Sequence, residues 1–248
     1  MSLALTRHQQ IIEAVREDGS VSVSEIARKL GVSEMTVRRD LAELQSQGLV
    51  NRVHGGAVAS ASISFGARLV ANAPEKAAAA EKLAQFLPAQ GTIYLDGSTT
   101  MLHLVSSLKH AQGLQVTTNN VETFRRLSAM PGIEPLLIGG RLDRRTDNLV
   151  GALASRSLLS IAFDAAFFSC YGISAEHGPM EATVEDAEIK DMVASRSAAV
   201  YLAADTNKLG VIAAGVWNPE RGKSTLATDI DPQDKRLAPF KKRFVSVL

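Results

Sequence analysis

Apolar positions along this chain follow one period up to about residue 58 and another beyond it. In the first stretch they recur at helical spacing. Ile11, Ile12 and Val15 share one face of a helix expected over about Thr6–Glu17, which stops before Gly19. Ser22-Val-Ser-Glu25 has the spacing of a capping box, in which the serine and the glutamate each satisfy the other's backbone amide. The helix it opens buries Ile26, Ala27 and Leu30 and meets Gly31. A third helix opens at Ser33, carries Val37, Leu41 and Leu44 at i, i+4 and i+7, and closes at Gly48 as its C′ residue. Two short helices, a turn containing glycine and a longer helix make a helix-turn-helix. Leu49 to Val58 then alternates apolar and polar residues around Gly55-Gly56, which predicts a β-wing. Residues 1–58 therefore read as a winged helix-turn-helix.

A small-residue stretch follows, without helical periodicity or dense charge, and residues 59–73 read as a linker. Over 74–248 the texture changes again. Apolar runs at Thr92–Leu95, Leu114–Thr117, Pro135–Ile138, Ala165–Phe168 and Val200–Ala203 alternate with helical patterns such as Glu75–Leu87 and Val184–Ala198. That alternation predicts a larger, mostly parallel α/β sheet domain. Trp217 and the residues after it, through about 225, fit no element.

Composition narrows the class. With 248 residues the chain is long enough for one large domain or two unequal ones, and 46% hydrophobic against 21% charged residues excludes a disordered or collagen-like chain. No run approaches the roughly 20 apolar residues of a membrane span, and the start, MSLALTRHQQ, lacks a signal-peptide core, so a cytoplasmic protein is the expectation. The lone Cys170 follows an apolar run without a basic neighbour, which favours a buried structural thiol over a nucleophile. The five histidines have no metal-ligand spacing, and no metal or cofactor is expected. His103 reads as a packing or surface residue, and Glu185, Asp186 and Glu188 as a solvated helix face beside Lys190.

The net charge of +1 is uninformative, but its distribution is not. Between Arg28 and His54 five basic residues face three acidic ones, and Arg38 and Arg39 flank the buried stripe of the third helix and point outward. The start of that helix suits the major groove of double-stranded DNA. Glu34, Met35, Thr36 and Arg38 are candidates for base edges, Ser33 and Arg39 for phosphates, and Arg52 and His54 on the wing for flanking backbone. A helical interaction module with solvated arginines is the alternative on spacing alone. The string VSEMTVRRDLAELQSQGLVNRVHGGAV resembles the recognition helix and wing of the DeoR family of bacterial transcription regulators. The resemblance implies that Arg38 and Arg39 contact DNA.

In the second region, strand Thr92–Leu95 runs into Asp96-Gly97-Ser98-Thr99-Thr100 at the start of a helix. Backbone amides and hydroxyls in such a loop suit phosphate oxygens, although Ser and Thr there can also simply cap the helix. Other strand ends add Thr118 and Asn119, Gly139-Gly140-Arg141, and Asp205 to Lys208. Ligands of open α/β sheets bind at the carboxyl ends of strands, and these groups suit an anionic, hydroxylated ligand.

The elements Leu95-Asp96-x-x-Thr99-Thr100, Thr118-Asn119, Gly139-Gly140, Gly151, the Glu185/Glu188/Lys190 helix and Asp205-x-x-Lys208 resemble the DeoR effector-binding domain, which is related in fold to ribose-5-phosphate isomerase. The resemblance implies a phosphorylated sugar or related metabolite as effector. Where those isomerases carry an acidic Asp-Gly-Ala-Asp-Glu element, this chain has Ser169-Cys-Tyr-Gly-Ile-Ser174, without a carboxylate. The expectation is a non-enzymatic regulator, a repressor of a carbohydrate operon, working as a homodimer or tetramer on operator DNA. The alternatives are a sugar-phosphate isomerase-like enzyme with a DNA-binding head and a ligand-independent scaffold.

Overall fold

A computed structural model describes the chain except residues 1, 2, 19, 47–49, 54 and 60–64. It forms two compact units, Met1–Ala71 and Asn72–Leu248.

The first unit contains α1 (Leu3–Asp18), β1 (Ser20–Ser22), α2 (Val23–Leu30), α3 (Glu34–Ser46), β2 (Val50–Val53), β3 (Gly56–Ala59) and α4 (Phe65–Val70). Thus a helix occupies part of the segment expected as a linker. The capping box forms as the sequence requires: Glu25 N donates to Ser22 Oγ, and Ser22 N to Glu25 Oε2, each at 3.2 Å. Gly31 ends α2 at φ 65°, in the left-handed region that costs a glycine least. The wing is an antiparallel sheet of order β1-β3-β2. Its two glycines serve different needs. Gly55 turns at φ 83°, whereas a Cβ on Gly56 would stand 2.0 Å from the Val21 carbonyl oxygen. Ile11, Val15, Ile26, Val37, Leu41, Leu44 and Val50 form the core. Asp40 is also buried, and it accepts from Arg7 Nη2 at 2.9 Å and contacts His8 Nε2 at 3.2 Å, tying α3 to α1.

The second unit starts with α5 (Ala73–Ala84), β4 (Gly91–Leu95), α6 (Thr99–Val105), β5 (Leu114–Thr118), α7 (Val121–Ser128) and β6 (Ile133–Leu137). The hairpin β7 (Arg141–Asp143) and β8 (Asn148–Val150), helix α8 (Ala152–Leu158), β9 (Phe163–Ser169), β10 (Gly172–Ser174) and β11 (Gly178–Glu181) follow. Helix α9 (Val184–Ser195), β12 (Ser197–Ala203), β13 (Gly215–Val216), β14 (Ser224–Ala227) and β15 (Ser246–Val247) complete it. Seven strands form a sheet of order β15-β14-β12-β9-β4-β5-β6 in which every pairing is parallel. The strand order reverses between β4 and β9, the position at which open α/β sheets form a ligand crevice beyond the carboxyl ends of their strands. Pro135 is tolerated because β6 is an edge strand.

Arg141, Arg144 and Arg145 belong to the β7–β8 hairpin, with Arg145 2.8 Å from Asp143 in its turn. Two features depart from the sequence expectation. The expected helix through Ala198 ends at Ser195, because Ser197 already belongs to the sheet. The region around Trp217 includes β13, which joins β10 and β11 in a small antiparallel sheet, and the indole packs 5.0 Å from the Phe168 ring in the core.

Candidate DNA-reading helix and effector site

On α3 the apolar stripe faces inward, and Glu34, Arg38 and Arg39 are exposed. Ser33 accepts from Thr36 N at 3.1 Å, and the two hydroxyls lie 2.9 Å apart, so both residues are engaged in capping the helix. Arg38 and Arg39 are exposed, and Arg38 Nη2 donates to Glu34 Oε2 at 3.2 Å. Met35 is 74% exposed, an unusual state for a large apolar side chain. Arg52 is exposed on β2, and His54 lies outside the described residues.

At the β4–β9 crevice the side chains form a continuous polar network. Asp96 is buried, and its Oδ1 accepts from Ser98 N at 2.8 Å while Oδ2 accepts from Ser169 N at 2.9 Å. Lys190 reaches the same Oδ2 at 2.8 Å and donates to Glu181 Oε1 and the Ser169 carbonyl, each at 2.7 Å. All three ammonium protons thus have acceptors. Burial alone would lower the Lys190 pKa, but Asp96 and Glu181 outweigh it and hold the group above its ordinary value. Burial pushes the Glu181 carboxyl up to about 7 against the opposing pull of Lys190.

A second lysine stands opposite. Lys208 Nζ donates to Ser169 Oγ at 2.6 Å and Thr100 Oγ1 at 3.3 Å, and lies 3.5 Å from Asp205 Oδ2. That carboxylate oxygen is buried and has no hydrogen-bond partner among the described residues. Ser98 caps α6 by accepting from Met101 N at 3.2 Å, so the capping role holds for Ser98, while the Thr100 hydroxyl faces Lys208 instead. Thr99 is buried beside it. Gly97 is demanded by packing: a Cβ there would stand 1.9 Å from Asn148 Oδ1.

The remaining candidates frame this centre. Tyr94 donates to Asn119 Oδ1 at 2.9 Å, Thr118 Oγ1 accepts from Asn120 N at 3.2 Å, and Asn120 Nδ2 donates to Asn148 Oδ1 at 2.9 Å. Gly140 adopts φ 145° where a Cβ would come within 3.0 Å of Ala154 Cβ. Arg141 is exposed on β7, 3.9 Å from Glu185. Asp186 corrects the reading of a solvated face, because it is buried, accepting from Asn148 Nδ2 at 3.3 Å and Thr183 Oγ1 at 2.8 Å. Glu185 and Glu188 are exposed. The half-buried His103 is held below its ordinary pKa by burial and by Lys76 and Arg126. Burial pushes Cys170 up to about 12, which makes it a poor nucleophile.

Comparison with known families matches residues 7–62 to a DeoR-like helix-turn-helix domain and residues 71–229 to a DeoR C-terminal sensor domain. The chain belongs to the DeoR family of transcriptional regulators. The HTH-type transcriptional regulator GolR of Listeria innocua is 31% identical, with 90% of this chain and 89% of that protein covered. The glycerol-3-phosphate regulon repressor of Escherichia coli is 30% identical, with 82% of each covered. Among solved structures, ribose 5-phosphate isomerase A from Neisseria gonorrhoeae is similar over 59% of this chain and 55% of that one, at 17% identity and a TM-score of 0.36.

Within this DeoR-family chain, sequence reasoning missed Glu181, Asn148 and Ser169 as parts of the sensor-domain network. Glu181 lies outside the Ser169–Ser174 stretch, yet β11 carries its carboxylate to Lys190. Only the antiparallel pairing of β10 with β11 reveals that neighbourhood.

Proposed function

We propose that this regulator represses a carbohydrate operon and that a phosphorylated sugar or related metabolite, bound in the β4–β9 crevice, changes its affinity for operator DNA. The observation that carries the effector assignment is the contrast between the two lysines. Lys190 spends its protons on Asp96, Glu181 and the Ser169 carbonyl, whereas Lys208 has two hydroxyls and one carboxylate oxygen 3.5 Å away. An anionic ligand exchanges for hydroxyl partners at little cost, so Lys208 and Thr100 are assigned to the phosphate. Asp205 Oδ2, which has no hydrogen bond among the described residues, is assigned to a ligand hydroxyl. Asp96 and Lys190 act as positioning residues, Gly140 and Arg141 are assigned to the rim, and the buried Asn119 is held behind it by Tyr94. The name of the glycerol-3-phosphate regulon repressor supports a phosphorylated ligand.

The DNA contacts are assigned to the exposed face of α3, with Glu34, Met35 and Arg38 on base edges, Arg39 and Arg52 on phosphates, and Ser33 and Thr36 holding the helix start. Heads of this kind work in pairs on half-sites about one helical turn apart, so a homo-oligomer is part of the proposal. A ligand that binds one conformation or assembly better than another shifts the population between them.

The reading is tested by thermal unfolding of the full chain with a panel of triose, pentose and hexose phosphates and with inorganic phosphate. One sugar phosphate is expected to raise the melting temperature, and Lys208→Ala to abolish the rise. Equal stabilisation of wild type and variant removes Lys208 from the site.

An isomerase-like activity is the second reading, favoured by a carboxyl pushed up to about 7 in Glu181, a value suited to proton transfer. Incubating the protein with pentose and hexose phosphates in deuterated water decides it. Deuterium entering a sugar carbon supports the enzyme, and its absence across the panel supports the sensor.

A further inference from the structure

Glu34, Met35 and Arg38 form one surface on α3. The i,i+4 pair Glu34–Arg38 is closed at 3.2 Å with both side chains more than half exposed, at 52% and 57%. Residues 34, 35, 38 and 39 face away from the stripe of Val37, Leu41 and Leu44. A pair of this exposure adds little to helix stability, and Met35 beside it adds nothing to the core. Against DNA phosphates Glu34 is repulsive, and it neutralises Arg38 in cis, so the pair weakens sequence-independent binding.

The same pair is complementary to one kind of base pair. Arg38 offers donors and Glu34 an acceptor next to them. In the major groove a G·C pair presents guanine N7 and O6 as acceptors and cytosine N4 as a donor. Guanine O6 and cytosine N4 are hydrogen-bonded to one another, about 2.9 Å apart, so they are spaced as the Arg38 and Glu34 atoms are at 3.2 Å. An A·T pair sets the adenine amino donor beside N7, where it opposes the second arm of the guanidinium. The thioether of Met35 stands beside this unit and suits the methyl group of a thymine on the next pair.

We propose that Glu34 and Arg38 act as a single reading unit for one G·C pair in each operator half-site, with Met35 against an adjacent thymine methyl. The proposal rests on the assignment of α3 as the helix that enters the major groove.

The test is selection from a randomised duplex library at fixed salt with the full-length protein and its Glu34→Ala, Glu34→Gln, Arg38→Ala and Met35→Ala variants, each checked for folding by circular dichroism. Wild type is expected to enrich a half-site with an invariant G·C pair beside a thymine. Glu34→Ala and Arg38→Ala are each expected to reduce discrimination at that same pair by about tenfold. Glu34→Gln is expected to relax the cytosine side, and Met35→Ala the neighbouring thymine alone. Glu34→Ala is also expected to tighten binding to random duplex. A wild-type motif that Glu34→Ala and Arg38→Ala leave unchanged, or change at different pairs, overturns the reading unit alone. A wild type that enriches no motif overturns it together with the assignment of α3.

Discussion

Lys190 Nζ lies 2.8 Å from Asp96 Oδ2, joining α9 to the loop after β4 at the point where the order of the main sheet reverses. Both groups are buried, so the contact holds the loop in place without offering a free charge. Removing one partner strands the other in a poorly solvated site. Asp96→Ala is expected to cost about 3 kcal/mol in urea unfolding, since breaking a buried pair typically costs about 3–5 kcal/mol and Glu181 still holds the ammonium.

Glu181 gives the sensor domain a pH dependence. Its folded pKa is raised from 4.5 to about 7, so between those values the folded state holds more protons than the unfolded one. Stability therefore falls as pH rises through this range and levels off above it. Glu181→Gln is expected to flatten that slope in chemical unfolding followed as a function of pH, while an unchanged slope assigns the dependence to another group.

Asp40 gives the DNA-binding unit the opposite dependence. Hydrogen bonding from Arg7, against the cost of burial and with help from His8, lowers its folded pKa below 3.8. The stabilisation is present above the ordinary carboxylate range and is lost as pH falls through the lowered value. Asp40→Asn is expected to weaken this unit at neutral pH and to narrow its difference from wild type in acid, read by thermal unfolding.

Arg39 is exposed, and among the described residues no carboxylate pairs with it as Glu34 does with Arg38. Arg39→Ala is expected to weaken binding uniformly across DNA sequences and to reduce the slope of log affinity against log salt by about 1. Fluorescence anisotropy at several salt concentrations measures it.

Gly97 cannot accept a side chain without displacing the Asn148 side chain and Asn120 Cβ. Gly97→Ala is expected to remove ligand-induced thermal stabilisation while the rest of the domain stays folded.

Much of this architecture was legible in the sequence. The capping box at Ser22 and Glu25 and the stripe of Val37, Leu41 and Leu44 are local patterns, and local patterns survive folding. The strands β4, β5, β9 and β12 announced themselves because strands covered on both faces are nearly continuous apolar runs. Strands β7, β10, β11 and β13 are too short for their periodicity to be read, with two to four residues each. In the site, Asp96, Lys190, Asp205 and Lys208 stood out as polar groups at strand ends or by resemblance. Glu181 did not, because its place depends on non-local pairing. Asp186 was misread because charge on a helix usually means solvent, whereas here Asn148 and Thr183 donate to it in the interior.

The central claim is that a phosphorylated sugar at Lys208 controls DNA binding by this chain. Fluorescence anisotropy on DNA from upstream of its own gene, at fixed salt, with and without a panel of sugar phosphates, tests it most directly when Lys208→Ala is measured alongside. The account predicts sequence-specific binding that one compound alters in wild type and leaves unaltered in the variant. Specific binding that every compound leaves unchanged, or that the variant modulates as wild type does, contradicts it.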